Sequence, residues 1–209
     1  MKIAILGATG LTGGLVLRRA LEQGHEVIAL VRDPKRLAIQ HPHLTVGAGS
    51  PLSKADLEKH LEGVVAVVHC LGVGGKGDGK HTTLISESVK AVIAVTQRQG
   101  IRRLVCMSNV GAGGSGTWFA NRIFIPIFLK WLVPIIEDKD RMEKALGESA
   151  LDWVSVRLPN IVDGLEKPVR VSQDGRGIGL SITAASAAAF LLDQVTSPEF
   201  IRKTPSISN

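Results

Sequence analysis

Tyrosine is absent from this chain of 209 residues, and aromatic residues make up only 4% of it. The absence of tyrosine excludes every mechanism in which a phenol donates or removes the substrate proton. Cysteine is scarce too: the chain has two, Cys70 and Cys106, each at the end of a strand-like apolar run. We therefore expect buried thiols in a reducing compartment rather than a disulfide framework, with the cytoplasm as the default location.

An uninterrupted apolar segment long enough to cross a membrane is also missing. The longest apolar region, residues 118–136, is broken by charged, amide and proline residues, whereas a spanning helix needs about 20 mostly apolar residues. We predict no transmembrane segment, and no signal peptide because the first strand begins near the N-terminus. The region 118–136 is interpreted as an apolar lid, packed core, a dimer interface, or a contact with a partner protein or a membrane surface.

Charge gives a weaker constraint on function. Lys and Arg number 25 against 19 Asp and Glu, a formal net charge of +6, which suits anionic small molecules. The basic residues are scattered and lack an interleaved aromatic platform, so we predict no nucleic-acid binding. His41 and His43 have no cysteine or acidic partner close by, and we predict no metal site.

The chain is organised around a glycine-rich stretch at residues 7–13. An apolar run, Ile3–Leu6, precedes it, and apolar residues at helical spacing follow, which predicts a strand, a turn and a helix. Glycine lets the backbone approach a pyrophosphate, and the helix N-terminus attracts the anion. The predicted contacts are Gly7, Thr9, Gly10, Leu11, Thr12 and Gly13. The alternative is a tight turn without a ligand.

A basic segment follows the second predicted strand. Arg32 is the first residue after the β-branched run Val27–Val31, and Arg36 lies one turn further on. In dinucleotide-binding folds an acid at this place selects NAD, whereas an Arg accommodates the 2′-phosphate of NADP. We predict NADP(H), gripped by the planar guanidinium of Arg32 with added charge from Arg36. The alternative is that Asp33 binds the ribose and the basic residues are a solvated surface.

Apolar strands and amphipathic helices alternate along the rest of the chain. Predicted strands cover residues 3–6, 27–31, 44–46, 64–71, 103–108 and 151–158, with an extended run at 169–171; predicted helices cover 11–21, 53–61, 83–99, 137–150 and 183–196. Ser53 and Asp56 resemble a capping box at the second helix. This pattern predicts an α/β fold: one Rossmann-type domain over 1–209 with a doubly wound parallel sheet and a small C-terminal substrate-side region.

Ligands of open parallel sheets lie beyond the carboxyl ends of the strands. The glycine-rich loop after the fourth strand, residues 72–79, should therefore border the cofactor. Ser108 is predicted to stand at the carboxyl end of the fifth strand, beside the nicotinamide, with a strand-ending hydroxyl as the alternative. Residues 111–116 are predicted to be a flexible joint that leads to an apolar lid at 111–136. His69 is predicted to be a core histidine.

The sequence resembles the atypical short-chain dehydrogenase/reductases called NmrA-like. The resemblance rests on the glycine turn, Arg32 and a signature from Lys139 and Glu143 to Pro159. Within that group it is most similar to the biliverdin-IXβ reductase and flavin reductase family. The resemblance implies that Leu71, Gly72, Val73 and Ser108 lie beside the nicotinamide, with Pro159, Asn160 and Ile161 beside the cofactor and substrate.

Three departures from that family affect the expected function. Ala48 and Gly49 stand where an Asp is often found near the adenine, and Asn160 replaces a histidine. Lys139 has no tyrosine partner and is expected to bind ribose or to lie on the surface. We therefore predict hydride transfer to an acceptor that needs no strong side-chain acid, such as a flavin, bilin or quinone, with Ser108 and Asn160 positioning the reacting rings. The alternatives are an NADP(H) sensor without turnover, and an assembly or membrane-surface scaffold.

Overall fold

The computed structural model describes residues 1–74, 78–115 and 129–209. Its strands are β1 (Lys2–Leu6), β2 (Glu26–Val31), β3 (Leu44–Ala48), β4 (Ala66–His69), β5 (Arg103–Gly113), β6 (Asp152–Leu158), β7 (Asn160–Val162), β8 (Arg170–Ser172), β9 (Ser181–Thr183) and β10 (Ser206–Ser208). Its α-helices are α1 (Leu11–Glu22), α2 (Lys54–His60), α3 (Leu84–Arg98), α4 (Val133–Glu148) and α5 (Ala184–Asp193).

Eight of these strands form one sheet in the order β3-β2-β1-β4-β5-β6-β10-β8. All neighbours in it pair in parallel except β8, which runs antiparallel to β10, while β7 and β9 pair separately. The predicted Rossmann-type α/β fold is confirmed. The chain order reverses between β1 and β4, and in open sheets the ligand crevice lies outside the carboxyl ends at such a point.

Both faces of the sheet are buried, because side chains alternate along each strand. Ile3 and Ile5 of β1 pack in one cluster with α1 and α5, whereas Ala4 and Leu6 pack in a second cluster with α2, α3 and α4. Two-sided burial explains why the central strands are almost continuously apolar in the sequence. The predicted burial of Cys70, Cys106 and His69 is confirmed.

The fifth strand differs from its prediction. β5 continues five residues past Ser108 to Gly113, so Ser108 does not end it, and residues 111–113 are strand rather than flexible joint. The extension has anchors outside the sheet. The Gly113 N–H donates to Asp140 Oδ1 at 2.5 Å, and the Gly111 N–H donates to Ser115 Oγ at 3.0 Å. The Asp140 anchor lies 27 positions away in α4, so the strand propensity of the segment did not indicate it.

Other helix and strand boundaries differ from their predictions by smaller amounts. α4 begins at Val133 rather than residue 137, because Pro134 falls in the first turn, where a missing N–H costs nothing. β4 covers only residues 66–69 of the predicted 64–71, and the short strands β7, β9 and β10 were missed. Of the predicted lid, residues 116–128 lie outside the described residues, as do residues 75–77 of the glycine-rich loop. The single domain over 1–209 stays a prediction.

Candidate functional site

The glycine turn leaves a set of backbone donors at the N-terminus of α1. Gly10 is the N-cap, its N–H donates to the Gly7 carbonyl at 3.0 Å, and no side chain caps the helix. The N–H groups of Leu11, Thr12 and Gly13 lie in the first turn, where a helix offers no acceptor of its own. The first turn carries no acidic residue. These donors and the helix dipole favour an anion at this position.

Two glycines of the turn are required by close packing. A Cβ on Gly13 would lie 2.2 Å from the Gly7 carbonyl oxygen, and one on Gly7 would lie 2.7 Å from the Cys70 carbonyl oxygen. Gly7 also has a φ of +87°, which disfavours any other residue. The turn is therefore pressed against the end of β4. Thr9 and Leu11 are exposed beside it, whereas Thr12 is buried.

The basic segment after β2 lies one strand away from this turn. Arg32 and Arg36 are exposed, and within the described residues neither guanidinium forms a hydrogen bond or an ion pair. Asp33 instead caps the short 3₁₀ helix Pro34–Arg36, because its carboxylate accepts the Lys35 N–H at 3.0 Å. That carboxylate therefore has a local role, and both cationic groups are free to bind a phosphate.

Residues after β4 and β6 complete the same edge of the sheet. Leu71 and Val73 are half-buried and Gly72 is exposed directly after β4. Pro159 and Ile161 are half-buried, while Asn160 is exposed and its backbone N–H donates to the Leu180 carbonyl at 3.2 Å. The topology thus brings the predicted cofactor residues to one edge, and the roles assigned to individual side chains stay predictions.

Lys139 lies inside the protein rather than on its surface, which corrects that part of the prediction. The side chain is only 1% exposed, and its ammonium donates to the carbonyls of Met107 at 2.5 Å and Leu71 at 3.4 Å. Burial lowers the pKa of Lys139 to about 8. The amine therefore ties α4 to the middle of β5 and to the segment just after β4, because the face of α4 that bears it packs on the sheet.

Glu143, one turn further along α4, is the centre of a buried polar network. It accepts hydrogen bonds from Ser108 Oγ at 2.9 Å and Ser155 Oγ at 3.0 Å. It also pairs with Arg157, whose Nε and Nη2 lie 3.1 and 2.6 Å from its two oxygens. Ser108 is 1% exposed, and its hydroxyl donates its hydrogen bond to Glu143 inside the protein. The pairing of Glu143 with Arg157 was not predicted from the sequence, although a charged residue inside the apolar strand β6 was a signal.

Among the described residues, no helix is long and apolar enough to cross a membrane. The predicted cytoplasmic location remains a prediction.

An open parallel sheet, a glycine turn at its switch point and free cations after β2 together define a dinucleotide-binding protein. Comparison with known families agrees, because a family model described as NAD(P)H-binding matches residues 7–198. The chain belongs to this NAD(P)H-binding family. The family match confirms the predicted nicotinamide dinucleotide as the cofactor.

Individual relatives are distant. The photosystem II assembly factor Ycf39 of Synechocystis is 25% identical over 166 residues, which cover 79% of this chain and 46% of that protein. A UPF0659 protein of Saccharomyces cerevisiae is 23% identical, covering 100% of this chain and 93% of that one. The chain thus spans about half of the first relative and nearly all of the second.

Solved structures support the fold. A short-chain dehydrogenase/reductase from Veillonella parvula in complex with NADP superposes with a TM-score of 0.80 at 17% identity, covering 100% of this chain and 94% of that one. At this identity the likeness concerns the fold alone. A special closeness to biliverdin or flavin reductases stays a prediction.

Proposed function

We propose that this protein is an NADPH-dependent oxidoreductase that reduces a conjugated acceptor such as a flavin, bilin or quinone. The observation that carries the proposal is the uncapped N-terminus of α1, with free cations after the neighbouring strand β2. A related fold holds NADP in the Veillonella parvula protein. When bound, the dihydronicotinamide would supply the hydride.

The residues present fit such a dinucleotide. The Leu11, Thr12 and Gly13 N–H groups would hold the pyrophosphate, and Arg32 with Arg36 would hold the 2′-phosphate. Gly7 and Gly13 let the turn pack closely against neighbouring backbone, and no side chain caps the helix that follows it. Leu71 to Val73 would line the nicotinamide half.

The class of acceptor follows from the proton donors that the chain offers. The chain has no tyrosine, and the Lys139 ammonium donates to two backbone carbonyls inside the protein. The Ser108 hydroxyl donates a hydrogen bond to the Glu143 carboxylate. An acceptor whose conjugated rings spread the incoming charge, and which takes its proton from water, fits this site better than a ketone. Asn160 is exposed at the same edge and would position such a ring.

Stopped-flow absorbance at 340 nm tests this proposal directly. The protein is mixed with NADPH and then with a flavin, a bilin or a quinone in turn. We expect oxidation of NADPH with at least one of these acceptors and little with NADH. Absence of turnover with all of them would overturn the reductase.

A second candidate is an NADP(H) sensor or scaffold with little turnover. It is favoured by Ser108, which was predicted to hold the acceptor but whose hydroxyl donates its hydrogen bond to Glu143. Ycf39, a relative over 79% of this chain, is named as an assembly factor. The apolar region 118–136 would then contact a partner protein or membrane surface. Tight NADPH binding without turnover, together with a partner retained only when NADPH is present, would favour this function.

A further inference from the structure

The loop that follows β3 brings a carboxylate to the edge of the sheet where the proposed nucleotide lies. Asp56 belongs to the first turn of α2, and its Oδ2 accepts the Ser50 N–H at 2.8 Å. The Asp56 N–H donates in turn to Ser53 Oγ at 3.2 Å. Only half of the predicted capping box therefore forms, because the Asp56 carboxylate turns toward Ser50 rather than Ser53.

Gly49 is what allows the carboxylate to sit there. A Cβ on Gly49 would lie 2.9 Å from Asp56 Cβ and 3.0 Å from both Asp56 Cγ and Leu30 Cδ1. Any larger residue at position 49 would thus push Asp56 away. The glycine and the aspartate form one packed unit, although seven positions separate them in the chain.

This unit lies beside the proposed phosphate-binding arginine. β2 and β3 pair in register from Val27 to Val31, and the Gly49 N–H donates to the Val31 carbonyl at 3.0 Å. Gly49 therefore adjoins the backbone from which Arg32 continues. A dinucleotide with its pyrophosphate at α1 and its 2′-phosphate at Arg32 would extend its base in this direction, toward the end of β3.

We infer that Asp56 is the residue that recognises the base, by accepting a hydrogen bond from the exocyclic amino group of adenine. The inference rests on the proposed NADPH site. Asp56 is half-buried, and its Oδ1 has no hydrogen-bond partner among the described residues. A carboxylate accepts a hydrogen bond from an amino group and repels a carbonyl oxygen, so it discriminates adenine from hypoxanthine. Ala48 and Gly49, which lack a polar side chain, leave this role to Asp56 from the next helix.

The test compares NADPH with reduced nicotinamide hypoxanthine dinucleotide phosphate, in which a carbonyl replaces the amino group. Isothermal titration of the wild-type protein should show NADPH bound about tenfold tighter, as expected for one hydrogen bond to a charged group. Asp56→Asn should lose this preference, because an amide can donate to the carbonyl. Glu58→Gln, which removes the same charge from the same helix, should retain it.

A merely structural role of Asp56 predicts a different result. Asp56→Asn would then weaken both nucleotides equally or leave both unchanged, and the wild type would bind them alike; either result overturns the inference. Binding of neither nucleotide to the wild type would overturn the proposed NADPH site together with it. Equal, tight binding of both would overturn only the role of Asp56.

Discussion

The two sides of the candidate site differ in how complete they are without a ligand. On the side of β1 and β2, the first-turn N–H groups of α1 have no cap, and Arg32 has no partner in the described part of the chain. On the side of β5 and β6, Glu143 accepts four hydrogen bonds and pairs with Arg157 in the interior. The first side thus leaves donors and a cation without partners in the described residues, whereas the polar groups of the second side bind one another and hold the fold together.

Removing the charge of Glu143 should have the largest effect on the second side. Glu143→Gln leaves the Arg157 guanidinium buried without a counter-charge, which costs about 3–5 kcal/mol of the free energy of unfolding. Urea denaturation followed by circular dichroism measures it. Glu87→Gln, which breaks an exposed pair with Lys90, is the control and should cost at most about 1 kcal/mol. Equal costs for the two variants would contradict the structural role of Glu143.

Gly13→Ala should distort the glycine turn at the N-terminus of α1. The new Cβ would lie 2.2 Å from the Gly7 carbonyl oxygen, so the turn must shift, at a cost of about 1–3 kcal/mol, and NADPH binding should be lost. Gly147→Ala is the matched control in α4, because its Cβ would meet nothing within 4 Å. That variant should gain up to about 1 kcal/mol and bind normally. Thermal melts and isothermal titration check both, and normal binding by Gly13→Ala would refute the turn as the anion site.

These two sides also differ in how far the sequence predicts them. The glycine turn and Arg32 lie within a short stretch of chain, so local spacing and turn chemistry indicate them. The Glu143 network joins α4 to β5 and β6 across 35 positions between Ser108 and Glu143, and only the packing of α4 on the sheet brings its members together. Lys139 was misplaced for the same reason, since helical spacing does not say which face is buried.

The free cations are tested by Arg32→Ala. Losing a charge-assisted hydrogen bond to the 2′-phosphate should weaken NADPH binding by at least about tenfold, roughly 1.5 kcal/mol, and leave NADH unchanged. Isothermal titration with both cofactors measures the ratio. Arg102→Ala, which removes an exposed Arg paired with Asp152, should alter neither affinity. If NADPH and NADH weaken together on Arg32→Ala, the selectivity assigned to this residue is wrong.

The buried ammonium of Lys139 makes the stability of the protein depend on pH. Burial lowers the folded-state pKa of Lys139 to about 8, below its ordinary value of 10.5, so the unfolded chain binds the proton more tightly. The contribution of Lys139 to the free energy of unfolding is therefore least favourable below pH 8 and rises with pH, by about 1–2 kcal/mol between pH 8 and 9.5. Tyrosine, whose phenol would titrate in a similar pH range, is absent from the chain.

Lys139→Met should abolish this rise, because methionine keeps the apolar stem and has no proton to lose. Urea unfolding across pH 7.5 to 9.5 compares the two proteins, with Lys144→Met on the same helix as the control that retains the rise. The buried ammonium lowers the stability of the folded protein at the acid end of this range. If the free energy of unfolding of the wild type did not change over this range, the amine would be in contact with water. Lys139 would then belong with the exposed side that awaits a ligand, and the division of the site into two unlike halves would fail.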